Sequence, residues 1–295
     1  MTDQQPTADG AGGPQGPPSG GVGIPSGLID AVLHLVSTGP VPLGAYTLAE
    51  MVAVDAVVDF LDEPPSTTSL AEAVRSLAAR QLLVANPDTE RLQVRGDLGI
   101  ALVFQQRARL VVDARATGTA PGQPWRTLLL PQAEGVTLEI LIDALGVHQL
   151  SLRDTPAALD RLRERLPGGE PGPGAVDAQD VLRESTSSAL VTVTRFSAEG
   201  TVETAEASTD VVLAEADERL HVFLRAPDDP ERLVPQPLDA DAVRELIATL
   251  ATVERPPRGM AATTGAATAE PPARSVRAAV QRRWQRLTGA GRLQL

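Results

Sequence analysis

The chain contains no cysteine. That removes disulfides, thiolate nucleophiles, Cys-based zinc sites and iron–sulfur clusters together. It contains no lysine either: all 26 basic residues are arginine. A Gly-rich phosphate loop ending in Gly-Lys-Ser/Thr is therefore excluded. Aromatic residues make up 2% of the 295 positions and apolar residues 42%. The core must then be built from Leu, Val, Ile and Ala. Positive charge is in deficit, with a net charge of -12, whereas a protein lying on duplex DNA presents a positive field to it. No run of about 18 apolar residues occurs, and the N-terminus has no charged stretch followed by an apolar one. The expectation is a soluble, cytoplasmic protein.

What is present divides the chain into a body and two tails. Residues 1–23 (MTDQQPTADGAGGPQGPPSGGVG) are Gly/Pro-rich and read as disordered. Folding is expected from Ile24, and IPSGLIDAVLHLV reads as a strand entry or a helix. Thr47-Leu-Ala-Glu50 and Ser69-Leu-Ala-Glu72 both read as capping boxes, in which a hydroxyl caps the first turn and a Glu three residues on reaches back. The first helix is predicted to run to about Leu61, before Pro64-Pro65, and the second to about Leu82. Leu92 and Val94 alternate as a short strand, and Asp97 opens a further helix.

Strands dominate the middle. RLVVDAR (109–115), WRTLLLP (125–131), VTLEILI (136–142) and HQLSLR (148–153) are separated by Gly/Pro/Asp turns. Thr155 is expected to cap a helix with Pro156 at its first position. PGGEPGPG (167–174) reads as a linker, followed by a short helix over 176–184. Strands return at 189–197, 201–205, 209–215 and 220–225, and Asp239 caps a helix striped by Val243, Leu246, Ile247, Leu250 and Val253.

The two halves, about 24–166 and 175–256, read as variants of one unit: a helix, three or four antiparallel strands, a closing helix. VTLEILIDALGVHQLSLRDTPAALDRL compares with TDVVLAEADERLHVFLRAPDDPERL, each running strand, turn, His, strand, Arg. The spacing differs, so the repeat is structural rather than a sequence period. Together they predict one domain over 24–256. Beyond it, 257–295 reads as a linker and a basic helix with Arg274, Arg277, Arg282, Arg283 and Arg286. Val276, Val280, Trp284 and Leu287 fall at helical spacing there. Such a segment docks on a partner or touches an anionic surface.

Signs of catalysis are sparse. His34, His148 and His221 form no HxxxH or HExxH pattern. His148 and His221 could pair across the two halves, although polar residues beside turns explain them more simply. The Ser run 184–190 has no base beside it, and Asp228, Asp229 and Glu231 lack the glycine and spacing of an EF-hand loop. A non-enzymatic protein without cofactor or metal is expected.

Residues 76–102 raise a separate question. Their order of helix, loop, strand and helix resembles a winged helix, which would make the chain a DNA-binding regulator. A reading helix presents Arg, Asn, Gln or Ser to base edges. SLAEAVRSLAARQLL offers Arg75, Ser76, Arg80 and Gln81, but also Glu72, and the helix before it is acidic. Arg75 and Arg80, with Arg277, Arg283 and Trp284 of the tail, are the candidate partner contacts. DNA is the less expected partner; an adaptor of a larger assembly is the other alternative.

The layout of SLAARQLLVANPDTERLQV followed by DLGIALV, the strand-rich halves each closed by a helix, and LDADAVRELIATLATV at the end resembles the EspG-type secretion-associated chaperones of the type VII (ESX) secretion systems of actinobacteria. The resemblance spans roughly residues 24 to 254 and rests on apolar patterns. It implies an α+β fold with a central antiparallel sheet, pseudo-twofold organisation and flanking helices. It further implies a cytosolic chaperone that binds the helical tip of a secreted substrate and delivers it to the secretion machinery, with no cofactor. The Gly/Pro-rich N-terminus and the basic tail depart from the compact pattern of that family.

Overall fold

The computed structural model describes residues 26–56, 65–85, 92–119, 122–174, 176–199, 202–229 and 231–253. The segments 1–23 and 257–295 lie outside the described residues, as do Arg277, Arg283 and Trp284. The fold is α+β, built on a sheet of ten strands.

The chain opens with α1 (Ser26–Thr38), a helix where the sequence left two readings open, and β1 (Val41–Tyr46). The strand was not anticipated, because Pro42 and Gly44 interrupt its pattern. They are tolerated because β1 pairs on one side only, along β7 at the sheet edge, with an irregular register between Pro42 and Gly44. Helix α2 (Leu48–Ala53) has the expected capping box, Thr47 with Glu50, but turns off at Val54 instead of continuing toward Leu61. Residues 57–64 are outside the described part. Helix α3 (Thr67–Ala79) corrects the second box: its cap is Ser66, whose hydroxyl accepts from Ser69 N, so Ser69 lies inside the first turn.

A two-stranded hairpin follows, β2 (Leu83–Ala85) with β3 (Leu92–Val94), and then α4 (Gly96–Arg107). The winged-helix-like order of elements is therefore present. The first meander is β4 (Leu110–Thr117), β5 (Arg126–Pro131), β6 (Val136–Ile142) and β7 (His148–Asp154), closed by α5 (Thr155–Arg163). Asp154, not Thr155, caps α5, so Pro156 sits one place further in than expected.

The stretch read as a linker is partly sheet. Glu170–Pro171 forms β8, parallel to β11, ahead of α6 (Ala178–Glu184). The second meander is β9 (Ser187–Glu199), β10 (Val202–Ala216), β11 (Arg219–Arg225) and β12 (Leu233–Gln236), closed by α7 (Ala240–Leu250). The two strands expected over 201–215 are one strand with a register shift between Ala205 and Ala207.

Strand order is β1-β7-β6-β5-β4-β9-β10-β11-β12, with β8 beside β11. Each half thus contains a helix (α4 or α6), a four-stranded meander and a closing helix, the first half adding α1–α3, β1 and the β2–β3 hairpin and the second β8. The halves join where β4 and β9 pair antiparallel from Leu110↔Arg195 to Thr117↔Ser188. The repeat exists in element order, but the segments aligned by sequence are not its equivalents. β6–β7 are the third and fourth strands of their meander, whereas β10–β11 are the second and third of theirs.

Alternation across the strands sends side chains to two covered faces. On one face, Val136, Leu138, Ile140 and Ile142 of β6 pack under Val32, Met51, Leu77 and Phe104 from α1 to α4. Further along that face Val212, Ala214 and Phe223 pack under Val181 of α6. On the other face, Leu110, Val112 and Leu129 share one cluster with Val191, Val211, Val222 and the inner residues of α5 and α7. No helix among the described residues is long and apolar enough to cross a membrane.

Candidate functional site

Of the four arginines expected to contact a partner, the two among the described residues, Arg75 and Arg80, each pair with a carboxylate. Arg75 is exposed but pairs with Glu72 one turn earlier. Arg80 donates to Glu50 Oε1 at 3.1 Å and lies over the Tyr46 ring, 4.9 Å from its centroid. Glu50, only 4% exposed, also accepts from Ser76 Oγ at 2.7 Å and from Thr47 N at 2.9 Å. One carboxylate thus locks the start of α2 to the end of α3. Burial holds the Tyr46 phenol above its ordinary range, against the lowering effect of Arg80, and its hydroxyl donates to Leu43 O at 2.8 Å.

The histidines are not brought together. His34 is exposed on α1. His148 opens β7, while His221 lies in β11, with five strands between them. His148 is 1% exposed and its Nδ1 lies 3.0 Å from Gly146 O. Burial pushes its pKa down, and Arg126 adds to that. The serine run is a helix-to-strand turn: Ser185 Oγ donates to Leu182 O and Ser187 Oγ to Glu215. Asp228 is gripped by Arg232 at 2.7 and 2.9 Å, which lowers its pKa, and Asp229 Oδ1 accepts from Glu231 N.

Three ionic clusters on the sheet escaped the sequence reading. Asp113 receives Arg126 through two bonds of 2.8 Å and Arg115 through one of 2.9 Å. Beside it Thr192 Oγ1 donates to Asp210 at 2.8 Å, and Arg225 binds the other oxygen at 2.7 Å. These side chains form a polar band across β5, β4, β9, β10 and β11, between the parts of the face covered by α1–α4 and by α6. On the opposite face Glu139, 0% exposed, meets three guanidiniums: Arg153 at 2.6 Å, Arg161 at 3.4 Å and Arg165 at 3.6 Å. Burial, and then the nearby Arg161, hold Arg165 below its ordinary range. The available signal was a charged residue placed inside an apolar strand: Asp113 in LVVDARAT, Glu139 in VTLEILI and Asp210 before VVLAEA.

Among the described residues, two clefts bear on binding. The larger, about 680 Å³, lies between α6, the 171–173 segment and the β10–β11 turn, and is acidic. The smaller, about 220 Å³, is a groove between the closing helices α5 and α7, lined by Leu159, Leu162, Leu166, Val243 and Ile247 with Arg163 and Arg244 beside them. It falls below the roughly 300–1,000 Å³ of small-molecule sites. Its size suits one or two apolar side chains. Among the described residues, no group of three or more His, Asp or Glu is placed to hold a metal ion.

The sequence matches no protein-family model and no curated protein.

Proposed function

We propose that this is a non-enzymatic cytoplasmic binding protein, a chaperone of the EspG-like kind that holds a helical substrate for a type VII secretion machinery. The observation that carries the reading is the apolar groove where the closing helices of the two halves meet. Helix-in-groove recognition places apolar anchors at i, i+3 or i+4, and i+7 between two such walls. Charged groups beside an apolar floor, as Arg163 and Arg244 are here, fix orientation rather than supply affinity. The large antiparallel sheet sets the two helices on one rigid support, so the groove needs no folding step of its own.

Arg80, held by the buried Glu50, weighs against DNA reading by α3, whereas Arg75 pairs with Glu72 only at the surface. Binding of a helical-hairpin secretion substrate, encoded near the protein and co-expressed with it, tests the proposal by isothermal titration. A measurable complex should weaken at least ~10-fold on Leu166→Arg, since a charge forced into an apolar contact costs more than about 1.4 kcal/mol. A sequence-specific, salt-sensitive shift of duplex DNA without any such complex would overturn it in favour of a regulator.

A further inference from the structure

The α6 cleft has a chemistry the chaperone reading does not use. Asp177, Asp180, Glu184 and Asp217 line it against a single guanidinium, Arg219, which donates to Pro171 O. Asp177 caps α6 and Asp180 pairs with Arg183. Glu184 and Asp217 make no side-chain bond among the described residues. At the cleft wall stands His221, 8% exposed, whose ring likewise has no hydrogen-bond partner among the described residues. Its ring nitrogens are not sealed off like His148 Nε2, so a donor that enters the cleft can reach them. Its position is guarded: Gly172 lies against the ring so closely that a side chain there would overlap it. Gly172 is itself held by donating to Leu220 O at 2.7 Å.

Carboxylates without a bond beside an accessible imidazole nitrogen suit a cation with several donors, which a guanidinium supplies in a fixed fork and an ammonium does not. The same chain supplies such groups: Arg274, Arg277, Arg282, Arg283 and Arg286, with no acidic residue after Glu270. We infer that this C-terminal arginine segment binds in the α6 cleft, its guanidiniums meeting Glu184 and Asp217 and one of them donating to His221.

The connection is long enough. The described chain ends beside Arg195, which donates to Leu250 O and Thr252 O. The cleft lies at the other end of β9, where Ser187 pairs with Glu215. At ~3.3 Å per residue, Ser187 and Arg195 are about 26 Å apart along the strand. The chain from Val253 to Arg274 can span up to about 70 Å, so it reaches around the sheet edge. Tethering raises the local concentration of the segment to the millimolar range or so, which suffices for weak ionic contacts.

The absence of cysteine makes the test clean. In the full chain, Gln285→Cys carries a nitroxide spin label, and amide relaxation is read by NMR. Enhanced relaxation is expected at 177–184 and 217–221, falling at least ~3-fold between about 0.05 and 0.5 M salt as charges are screened. Glu184→Gln with Asp217→Asn should reduce it similarly. Arg282→Gln, Arg283→Gln and Arg286→Gln together should do so without touching the described fold, and should move the His221 ring resonances. Enhancement centred on the α5–α7 groove, enhancement of no described amide, or an effect indifferent to these substitutions would each overturn the assignment.

Discussion

Glu139 is the residue on which the most charge converges. Three arginines approach one fully buried carboxylate, so its removal leaves like charges facing one another across a buried site. Glu139→Gln should destabilise the protein by about 3–5 kcal/mol, the range for breaking a buried ion pair, measured by urea denaturation. Arg80→Ala should cost less, about 1–2 kcal/mol, because that guanidinium is partly in solvent and Glu50 keeps Ser76 and Thr47. His148 gives a pH signature. Burial lowers its folded pKa, so the stability it contributes is present above the unfolded value of about 6.5. It is lost as pH falls from there through the folded value, because the unfolded chain takes the proton first. The stability of the wild type relative to His148→Gln should therefore shrink between pH 7.5 and pH 5 in paired denaturation curves.

At the scale of elements, the described turn between β10 and β11 places two consecutive non-Gly residues at positive φ. Ala216 pairs with Arg219, leaving a two-residue loop in which Asp217 and Glu218 have φ of 50° and 61°. Such loops favour Gly at the second place, since only Gly meets no Cβ penalty there. Glu218→Gly should raise stability by roughly 0.5–1 kcal/mol, seen as a higher melting temperature, with the sheet unchanged. Gly118 illustrates the opposite case: at φ 71°, a side chain would run into Thr186 O. Much of this level was legible in advance. The meander strands and the caps at Thr47 and Asp239 follow from local pattern. The strands missed, β1, β2, β8 and β12, contain Pro or Gly or span few residues. They exist because a neighbouring strand offers unpaired backbone groups, which local propensity does not register.

For the whole molecule, the decisive feature is that β4 and β9 make the halves one sheet. The cluster beneath α5 and α7 also draws residues from both meanders, Leu129 from one and Val222 from the other. The two halves should consequently unfold together. Circular dichroism and the fluorescence of Trp125, with Trp284→Phe to remove the second tryptophan, should give coincident transitions, and the β4 and β9 amides should share the slowest hydrogen exchange. Two separated transitions would mean that the β4–β9 seam contributes less than the cores of the halves.

By itself the sequence determined the class of the protein. The absence of cysteine and lysine, the scarcity of aromatics and the apolar period in each segment follow from composition and spacing, and they suffice for an α+β chain with an aliphatic core. Only the tertiary structure decided how the charges are used. Arg80, read as an outward contact, turns to Glu50 on another helix. Asp113 meets Arg126 and Glu139 meets Arg165 because strand pairing and helix docking bring together residues 13 and 26 positions apart. Partnership of that kind depends on register and on which face a side chain takes. Both are set by the burial of the whole sheet.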